Sequence, residues 1–426
     1  MKILITTMIP TDKIHPRTYV FKKIIDSLKS RTFCEVNWIM CYPYKTSNSK
    51  QVSDYIDIHN FSNALQMLNK LKPDLIFVDP QIEPIQYAIS ICAKKLNIPI
   101  IARPPIVNYF PSQSRKSNIL YKLRNFFSSE NPSGELQDKK FFSRGSFFLY
   151  KINFYFKTKL DLNVKFLNAV FSTIRYFRII AISRTQLPVN LYADLHLLAS
   201  ENQINDYIKN GISQSKLKVV GNVWIDKNFN NISKVNYNIK NNKIKILIVT
   251  TPLFEHGVWS SSQRDEFLKK LFSILTDDKF DISLKIHPTS ENINYYRSLL
   301  NKLDISCPIF QSEDIWTLIP NYDLFISYGP SQVLGDLAFS QRRTITISIG
   351  KQLLGIPLVK EAISSGFITE CQEITQLKNT VISVANSIPK PNQEYLNEIK
   401  KLFFNFDGKS SERCAEVIVS FMNDKH

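Results

Sequence analysis

Several residues with useful chemistry sit just past apolar, β-rich runs in this chain. SLKIHPTSENI ends such a run with His287 and Pro288, and a helical pattern begins near Ser290. A histidine there can donate a hydrogen bond to a phosphate, while proline fixes its own backbone and removes an N–H that would otherwise need a partner. ISYGPSQVLGDLAF has the same layout: a run ends, Gly329 and Pro330 turn the chain, and Ser331 and Gln332 open the next helical pattern. Exposed N–H groups and the positive end of a helix dipole favour an anion there, and the serine hydroxyl adds a donor. Thr250 and Thr251 follow a third run. Each motif alone also reads as ordinary turn or N-cap chemistry. Together, at matching strand ends, they predict a grip on the phosphate of a nucleotide.

Acid–base chemistry has fewer candidates. Asp79 directly follows the apolar run in KPDLIFVDP and is placed to take a proton, with Glu83 and His15 as the other choices. Asp-Pro also starts turns and caps helices, so a structural role for Asp79 stays open. Asn222, in KVVGNVWID, closes the first half of the chain, and with His15 and Glu83 it is expected to line a cleft between two domains. No Asp-x-Asp pair follows a strand, so no catalytic metal and no cofactor is implied. Asp277-Asp278 reads as a solvated loop.

The elements that must position these residues alternate in type. Strands are predicted at Lys2–Thr7, Val36–Met40, Leu75–Val78, Pro99–Ala102, Ile179–Ile182, His196–Ala199 and Lys218–Val220. Helices are predicted at Tyr19–Leu28, Phe61–Leu71, Pro84–Leu96 and Ser200–Asn210, the last closed by Gly211. An Asn/Lys-rich stretch at 227–243 reads as a linker. A second series follows, with strands at Ile244–Thr250, Ile282–Ile286, Leu324–Tyr328 and Thr344–Ile347. Its helices are Arg264–Leu275, Ile293–Leu303 and Gln332–Phe339, and the tail adds Tyr395–Phe403 and Arg413–Met422. Fully apolar strands between helices describe an α/β protein with helices on both faces of each sheet. The expected fold is two Rossmann-like, doubly wound domains, 1–226 and 244–426, facing across a cleft.

Composition narrows the class. With 426 residues, 44% hydrophobic, the chain can fill two cores, which excludes overall disorder. Six scattered cysteines without a CxxC pair argue against a disulfide framework and a Cys-type zinc site. The apolar run in MKILITTMIP is too short for a signal peptide, and no apolar stretch has spanning length. The net charge is +17, and over half of it lies in residues 113–180, which hold 13 Lys/Arg, 4 Asp/Glu and 15 Phe/Tyr. Interleaved rings and cations suit an anionic lipid surface or a packed insertion with a charged outer face. No nucleic-acid motif accompanies them, so no nucleic-acid partner is expected.

LLASENQINDYIKNGIS followed by KLKVVGNVWID resembles the segment that closes the N-terminal domain of bacterial UDP-N-acetylglucosamine 2-epimerases and related GT-B enzymes. LKIHP, followed some forty residues later by YDLFISYGPSQVLGDLAF, resembles the His-Pro and Ser/Thr motif pair of bacterial sialyltransferases, Kdo transferases and CDP-glycerol glycerophosphotransferases. The departures are as informative. Where the epimerases carry an acidic-Ala-Gly-Leu-Arg stretch, this chain has IARPPIV; Arg-Pro-Glu becomes IPTDKIHPR, and Asp-Ser-Gly-Gly becomes SYGPSQ. An epimerase needs an acid and a base on opposite faces of the sugar carbon, and most of those carboxylates have no match here. The paired glutamates of many retaining transferases are missing too.

The resemblance therefore implies a metal-independent, inverting GT-B glycosyltransferase with a CMP- or CDP-linked donor favoured over a UDP-linked one. Its acceptor would be a glycan or lipid-linked saccharide of a cell-surface polysaccharide or glycolipid, and its location the cytoplasm, on the inner face of the membrane. His287, Thr250, Thr251, Pro288, Gly329, Ser331 and Gln332 would hold the donor, with Asp79 and His287 as catalytic residues. The alternatives are a nucleotide-sugar epimerase or hydrolase, and a non-catalytic membrane-surface binding protein on the same scaffold.

Overall fold

The computed structural model describes residues 1–7, 16–41, 55–82, 84–105, 144–183, 187–188, 193–226, 243–255, 258–288, 290–329, 331, 333–340, 342–349, 362–364, 366–387, 397, 404–405 and 407–425. The chain forms two compact units. The first comprises Met1–Ser129, Asp138–Lys227 and Lys400–His426, and the second Glu130–Gln137 and Asn228–Ile399.

In the first unit the strands are β1 (Lys2–Thr7), β2 (Glu35–Met40), β3 (Tyr55–Asp57), β4 (Leu75–Val78), β6 (Ile100–Ala102), β8 (Leu195–Leu198) and β9 (Leu217–Val219). They form one all-parallel sheet in the order β3-β2-β1-β4-β6-β8-β9. A separate two-stranded ribbon pairs β5 (Gln81–Ile82) with β7 (Leu187–Pro188). The helices are α1 (Pro16–Lys29), α2 (Ala64–Leu71), α3 (Pro84–Lys95), α4 (Arg144–Asp161), α5 (Phe166–Ser183), α6 (Asn202–Lys209) and α7 (Val223–Asp226). Because side chains alternate across a strand, Leu4, Ile76 and Ile100 enter one core with α2, α3, α4 and α5. Ile3, Ile5, Phe77 and Ile101 enter the other, with α1. Each fully buried Leu, Ile or Phe contributes about 1.5–3 kcal/mol, so sheet strands apolar on both sides are stable only between two helical layers.

The second unit repeats the scheme with β10 (Ile244–Val249), β11 (Phe280–Lys285), β12 (Ile309–Phe310), β13 (Leu324–Tyr328), β14 (Arg343–Ile347) and β15 (Ile368–Cys371). Their order is β12-β11-β10-β13-β14-β15, again all parallel. Its helices are α8 (Ser261–Leu275), α9 (Ile293–Lys302), α10 (Ile315–Leu318), α11 (Val333–Phe339) and α12 (Leu377–Asn386). A capping box starts α8, Ser260 and Gln263 satisfying each other's backbone N–H.

The structure corrects two expectations. Ile179–Ile182 is not a strand but the last turn of α5. Its β-branched residues favour a strand locally, and the helix running into them overrides that preference. The tail helix α13 (Ser410–Asn423) belongs to the first unit rather than the second. Its apolar stripe of Cys414, Ala415, Ile418 and Met422 completes the core beneath α1. Arg413 Nε donates to Val220 O at 2.8 Å, and Ser410 N donates to Asp226 at 2.7 Å. Gly221 has φ +101°, and a Cβ there would lie 2.2 Å from Ser410 Oγ, so this junction requires glycine. In the basic aromatic segment, for which a packed insertion was one of the two readings, α4 and α5 pack on the first unit through a ring stack in which Tyr176 sits 4.6 Å from Tyr87 and 4.9 Å from Tyr155. The packed part of the basic aromatic segment is therefore substantial. The predicted linker at 227–243 and the helix at Tyr395–Phe403 lie almost wholly outside the described residues.

Candidate functional site

In an open parallel sheet, ligands meet the carboxyl ends of the strands where the strand order reverses. In the second unit that point lies between β10 and β13. The register aligns Val249 with Lys285 of β11 and with Ser327 of β13. The residues that follow these positions, Thr250-Thr251, Ile286-His287 and Tyr328-Gly329, therefore emerge together at one sheet edge. β11 and β13 flank β10, so the strand ends that lead into His287 and into Gly329 lie on the same edge, two strand spacings or about 10 Å apart.

Glu291, a residue the motif reading passed over, organises this edge. Its side chain is buried, and it accepts hydrogen bonds from the Thr250 hydroxyl, the Tyr296 hydroxyl and His287 N–H, the last at 2.6 Å. Burial raises its pKa, and the three donors and Lys285 work the other way. The effect on His287 is specific. Glu291 pins the backbone of the turn, Gln311 Nε2 bridges Glu291 O at 2.9 Å and His287 O at 3.4 Å, and Ser290 N–H donates to His287 Nδ1 at 3.1 Å. An imidazole that accepts at Nδ1 carries its proton on Nε2 when neutral. His287 is thus held as an Nε2–H donor, the tautomer a phosphate oxygen would need.

The other predicted donor-site residues divide by what they do. Thr250 and Thr251 are buried, and their hydroxyl protons go to Glu291 and to Tyr328 O. They fasten β10 to its neighbours. Gly329 has φ +70°, and a Cβ there would sit 3.3 Å from the Leu253 methyls, so this turn needs glycine. Ser331 is half-buried, and its Oγ accepts Val333 N–H at 3.4 Å in the manner of an N-cap. Pro288 is exposed. Gln332 lies outside the described residues. Lys285 is no free cation either: its ammonium donates to Ile286 O at 2.9 Å and Gln311 O at 2.8 Å.

In the first unit, β4 and β6 are neighbours with Val78 opposite Ala102, so the next residues, Asp79 and Arg103, emerge side by side. Both are buried and they form an ion pair, with Arg17 of α1 at 3.9 Å from the same carboxylate. Arg103 also donates to Pro104 O at 2.7 Å and lies 5.3 Å from the centre of the Phe21 ring. Burial lowers its pKa, and the Asp79 charge counters this. Asp79 is therefore not a lone carboxylate, and Arg103, in the stretch noted above only for lacking an acid, is the residue that answers it. Nearby, His196 of β8 is buried edge-on to Tyr207, 5.5 Å between centres, and neither ring nitrogen has a hydrogen-bond partner. Asn222 is a buried cap whose Oδ1 accepts Trp224 N–H at 3.1 Å and Ile225 N–H at 3.3 Å. His15 and Glu83 lie outside the described residues. No group of three His, Cys, Asp or Glu suited to a metal occurs among the described residues.

Both sheets have the parallel strand order of Rossmann-like domains, and comparison with known proteins bears on the fold. No protein-family model and no curated protein matches the chain. Solved structures do. UDP-GlcNAc 2-epimerase from Methanocaldococcus jannaschii superposes with a TM-score of 0.55 at 14% identity, over 98% of this chain and 99% of that one. The same enzyme in complex with UDP-GlcNAc and UDP gives 0.54, 14%, 98% and 99%. UDP-N-acetylglucosamine 2-epimerase from Rickettsia bellii gives 0.54 at 12% identity, over 100% of this chain and 97% of that one. At such identities the likeness concerns the fold: the chain has a GT-B-type fold resembling that of the UDP-GlcNAc 2-epimerases.

Proposed function

We propose that the protein is a nucleotide-sugar-dependent glycosyltransferase, inverting and metal-independent, that builds a cell-surface glycan or glycolipid. The donor diphosphate or phosphate would be held at the second unit's edge by the Nε2–H of His287 and by the turn at Gly329–Ser331. As the glycosidic bond to the nucleotide breaks, charge builds on the leaving phosphate, and a fixed donor stabilises it. Asp79 would take the acceptor hydroxyl proton as that oxygen attacks the anomeric carbon. CMP- or CDP-linked donors are favoured by the His-Pro resemblance. In this reading the protein works in the cytoplasm on the inner face of the membrane, where a lipid-linked acceptor would be reached.

The observation that carries the choice is the partner of Asp79. Exchanging a proton at a sugar carbon from both faces takes two acid–base groups, and the group set beside Asp79 is an arginine. A carboxylate paired with a cation suits a single deprotonation. The second reading, a nucleotide-sugar epimerase or hydrolase, rests on the overall likeness to epimerases, one of which is solved with UDP-GlcNAc and UDP.

Incubation with CMP-, CDP- and UDP-sugars, with and without glycan acceptors, separates the readings. Nucleotide release that depends on acceptor is expected. Release with an epimerised or hydrolysed sugar would establish the second reading, and no turnover with any donor would leave a binding protein. His287→Ala should lower turnover by roughly 10²–10³, the scale for losing one transition-state donor; unchanged kinetics in a folded variant would remove His287 from the site.

A further inference from the structure

A helix that packs against a protein on one side normally shows charge on the other. α5 does not. Ala169, Thr173, Tyr176 and Phe177 are buried against the first unit. On the opposite side Leu167, Phe171 and Ile174, at helical spacing, are between 59% and 66% exposed. Phe166 at the start of α5 and Leu149 on α4 are exposed to the same degree. Among the described residues these five account for most of the exposed large hydrophobics; the others, Phe33 and Ile208, stand singly elsewhere. Other phenylalanines of the basic aromatic segment are less exposed or lie outside the described residues. Phe154 is fully buried, Phe148 and Phe156 are half-buried, and the side chains of Phe141, Phe142 and Phe147 lie outside the described set.

Charge surrounds this stripe with one sign. Residues 144–183 hold seven Lys/Arg and a single acid, Asp161. Lys157, Lys165 and Arg175 are exposed, Lys165 one residue before α5 and Arg175 beside Phe171 and Ile174 on its surface. An apolar strip flanked by cations matches an anionic bilayer, whose headgroups pair with the lysines and arginines while the acyl boundary takes the rings and branched chains. No described helix is long and apolar enough to cross a membrane, so the contact would lie in the interface plane.

We propose that the outer face of α5, with Leu149 of α4 and the exposed cations, is a docking surface for an anionic lipid membrane. The proposal does not rest on the transferase reading and holds for any activity of the chain. Each cation near the surface strengthens binding roughly fivefold, and that part of the attraction is screened by salt.

Full-length protein is sedimented with vesicles of phosphatidylglycerol and phosphatidylcholine, and with phosphatidylcholine alone, at low and high salt. Wild type is expected to pellet with the anionic vesicles, less at high salt, and weakly with the neutral ones. The variant Leu167→Ser/Phe171→Ser/Ile174→Ser changes only exposed side chains, and its circular dichroism and melting temperature should match wild type. Its partition onto anionic vesicles should fall by about 30-fold or more, the scale for removing three inserting side chains. Lys165→Glu/Arg175→Glu should also weaken binding, with a smaller salt dependence than wild type. Wild type remaining in the supernatant at low salt overturns the proposal, and so does binding that the triple variant leaves unchanged. Concentration-dependent dimers that the triple variant abolishes, measured by light scattering without lipid, would assign the stripe to a second copy instead and overturn it as well.

Discussion

Each unit keeps one buried carboxylate where its parallel strands end, and the two are stabilised in opposite ways. In the first unit Asp79 faces Arg103, charge against charge, inside the protein. In the second Glu291 collects two hydroxyls and a backbone N–H, with Lys285 acting on it only through its charge and no ion pair to it among the described residues. An ion pair away from water depends on both members, because either one alone is an uncompensated buried charge. A carboxylate held by neutral dipoles depends on shape, since an uncharged isostere can reuse most of the same donors. The first arrangement fixes a charge; the second fixes a turn and, through it, the tautomer of His287.

The largest expected effect follows from breaking the ion pair. Asp79→Asn leaves Arg103 buried without its counter-charge and should cost about 3–5 kcal/mol, a fall on the order of 10 °C in the unfolding midpoint of the first unit. Asp79→Leu/Arg103→Met should cost less than the sum of its single changes, and additive losses in that cycle would dismiss the pair as a coupled unit. Loss of turnover in Asp79→Asn therefore has to be read against its melting curve before it counts as loss of a base.

The pH response comes next in size and differs in sign between the units. Burial pushes the His196 pKa down to about 4 from 6.5. Between those values the unfolded chain binds a proton that the native state does not, so stability is fully present above pH 6.5 and is lost as the pH falls to 4. The size is roughly 3 kcal/mol. Burial pushes Glu255 up to about 7 from 4.5. Its native form binds the extra proton, so its contribution is full below pH 4.5 and is lost as the pH rises through 7. Denaturation monitored separately for the two units from pH 4 to 8 should show opposite slopes. His196→Leu should flatten the first and Glu255→Gln the second; parallel slopes would refute both assignments.

Smallest is Glu291→Gln. The amide oxygen can keep the Thr250 and His287 donors while its NH₂ turns to the Tyr296 oxygen. The loss should then be about 1 kcal/mol in urea unfolding, well below that of Asp79→Asn. A loss equal to that of Asp79→Asn would mean the charge, and not the shape, is what the second edge requires.

Much of this was legible in the residues alone. Lys2–Thr7, Leu75–Val78 and Leu324–Tyr328 are strands at the predicted bounds, because buried parallel strands are apolar on both faces and stand out between helical patterns. Gly211 does follow the α6 helix, with φ +85°. His287 does emerge at a sheet edge beside Thr250-Thr251 and Gly329, because consecutive α/β units set the strand directions. The two-residue strand β12 was missed, and β3 and β15 begin too near polar residues to show a pattern.

What the chain's own order established is local: which stretches are strands or helices, which turns need glycine, and which chemistry stands at a strand end. Tertiary structure decided the partners. Arg103 meets Asp79 because β4 and β6 are neighbours, although the two residues are 24 positions apart in the chain. Glu291 reaches Thr250 because β10 and β11 are, and α13 covers the first unit although it follows the second. Local periodicity tells a helix to bury a face but does not say against what, and burial of a charge can be compensated only by groups that the fold brings from elsewhere. That is why the strand ends could be read from the sequence and the groups that hold their side chains could not.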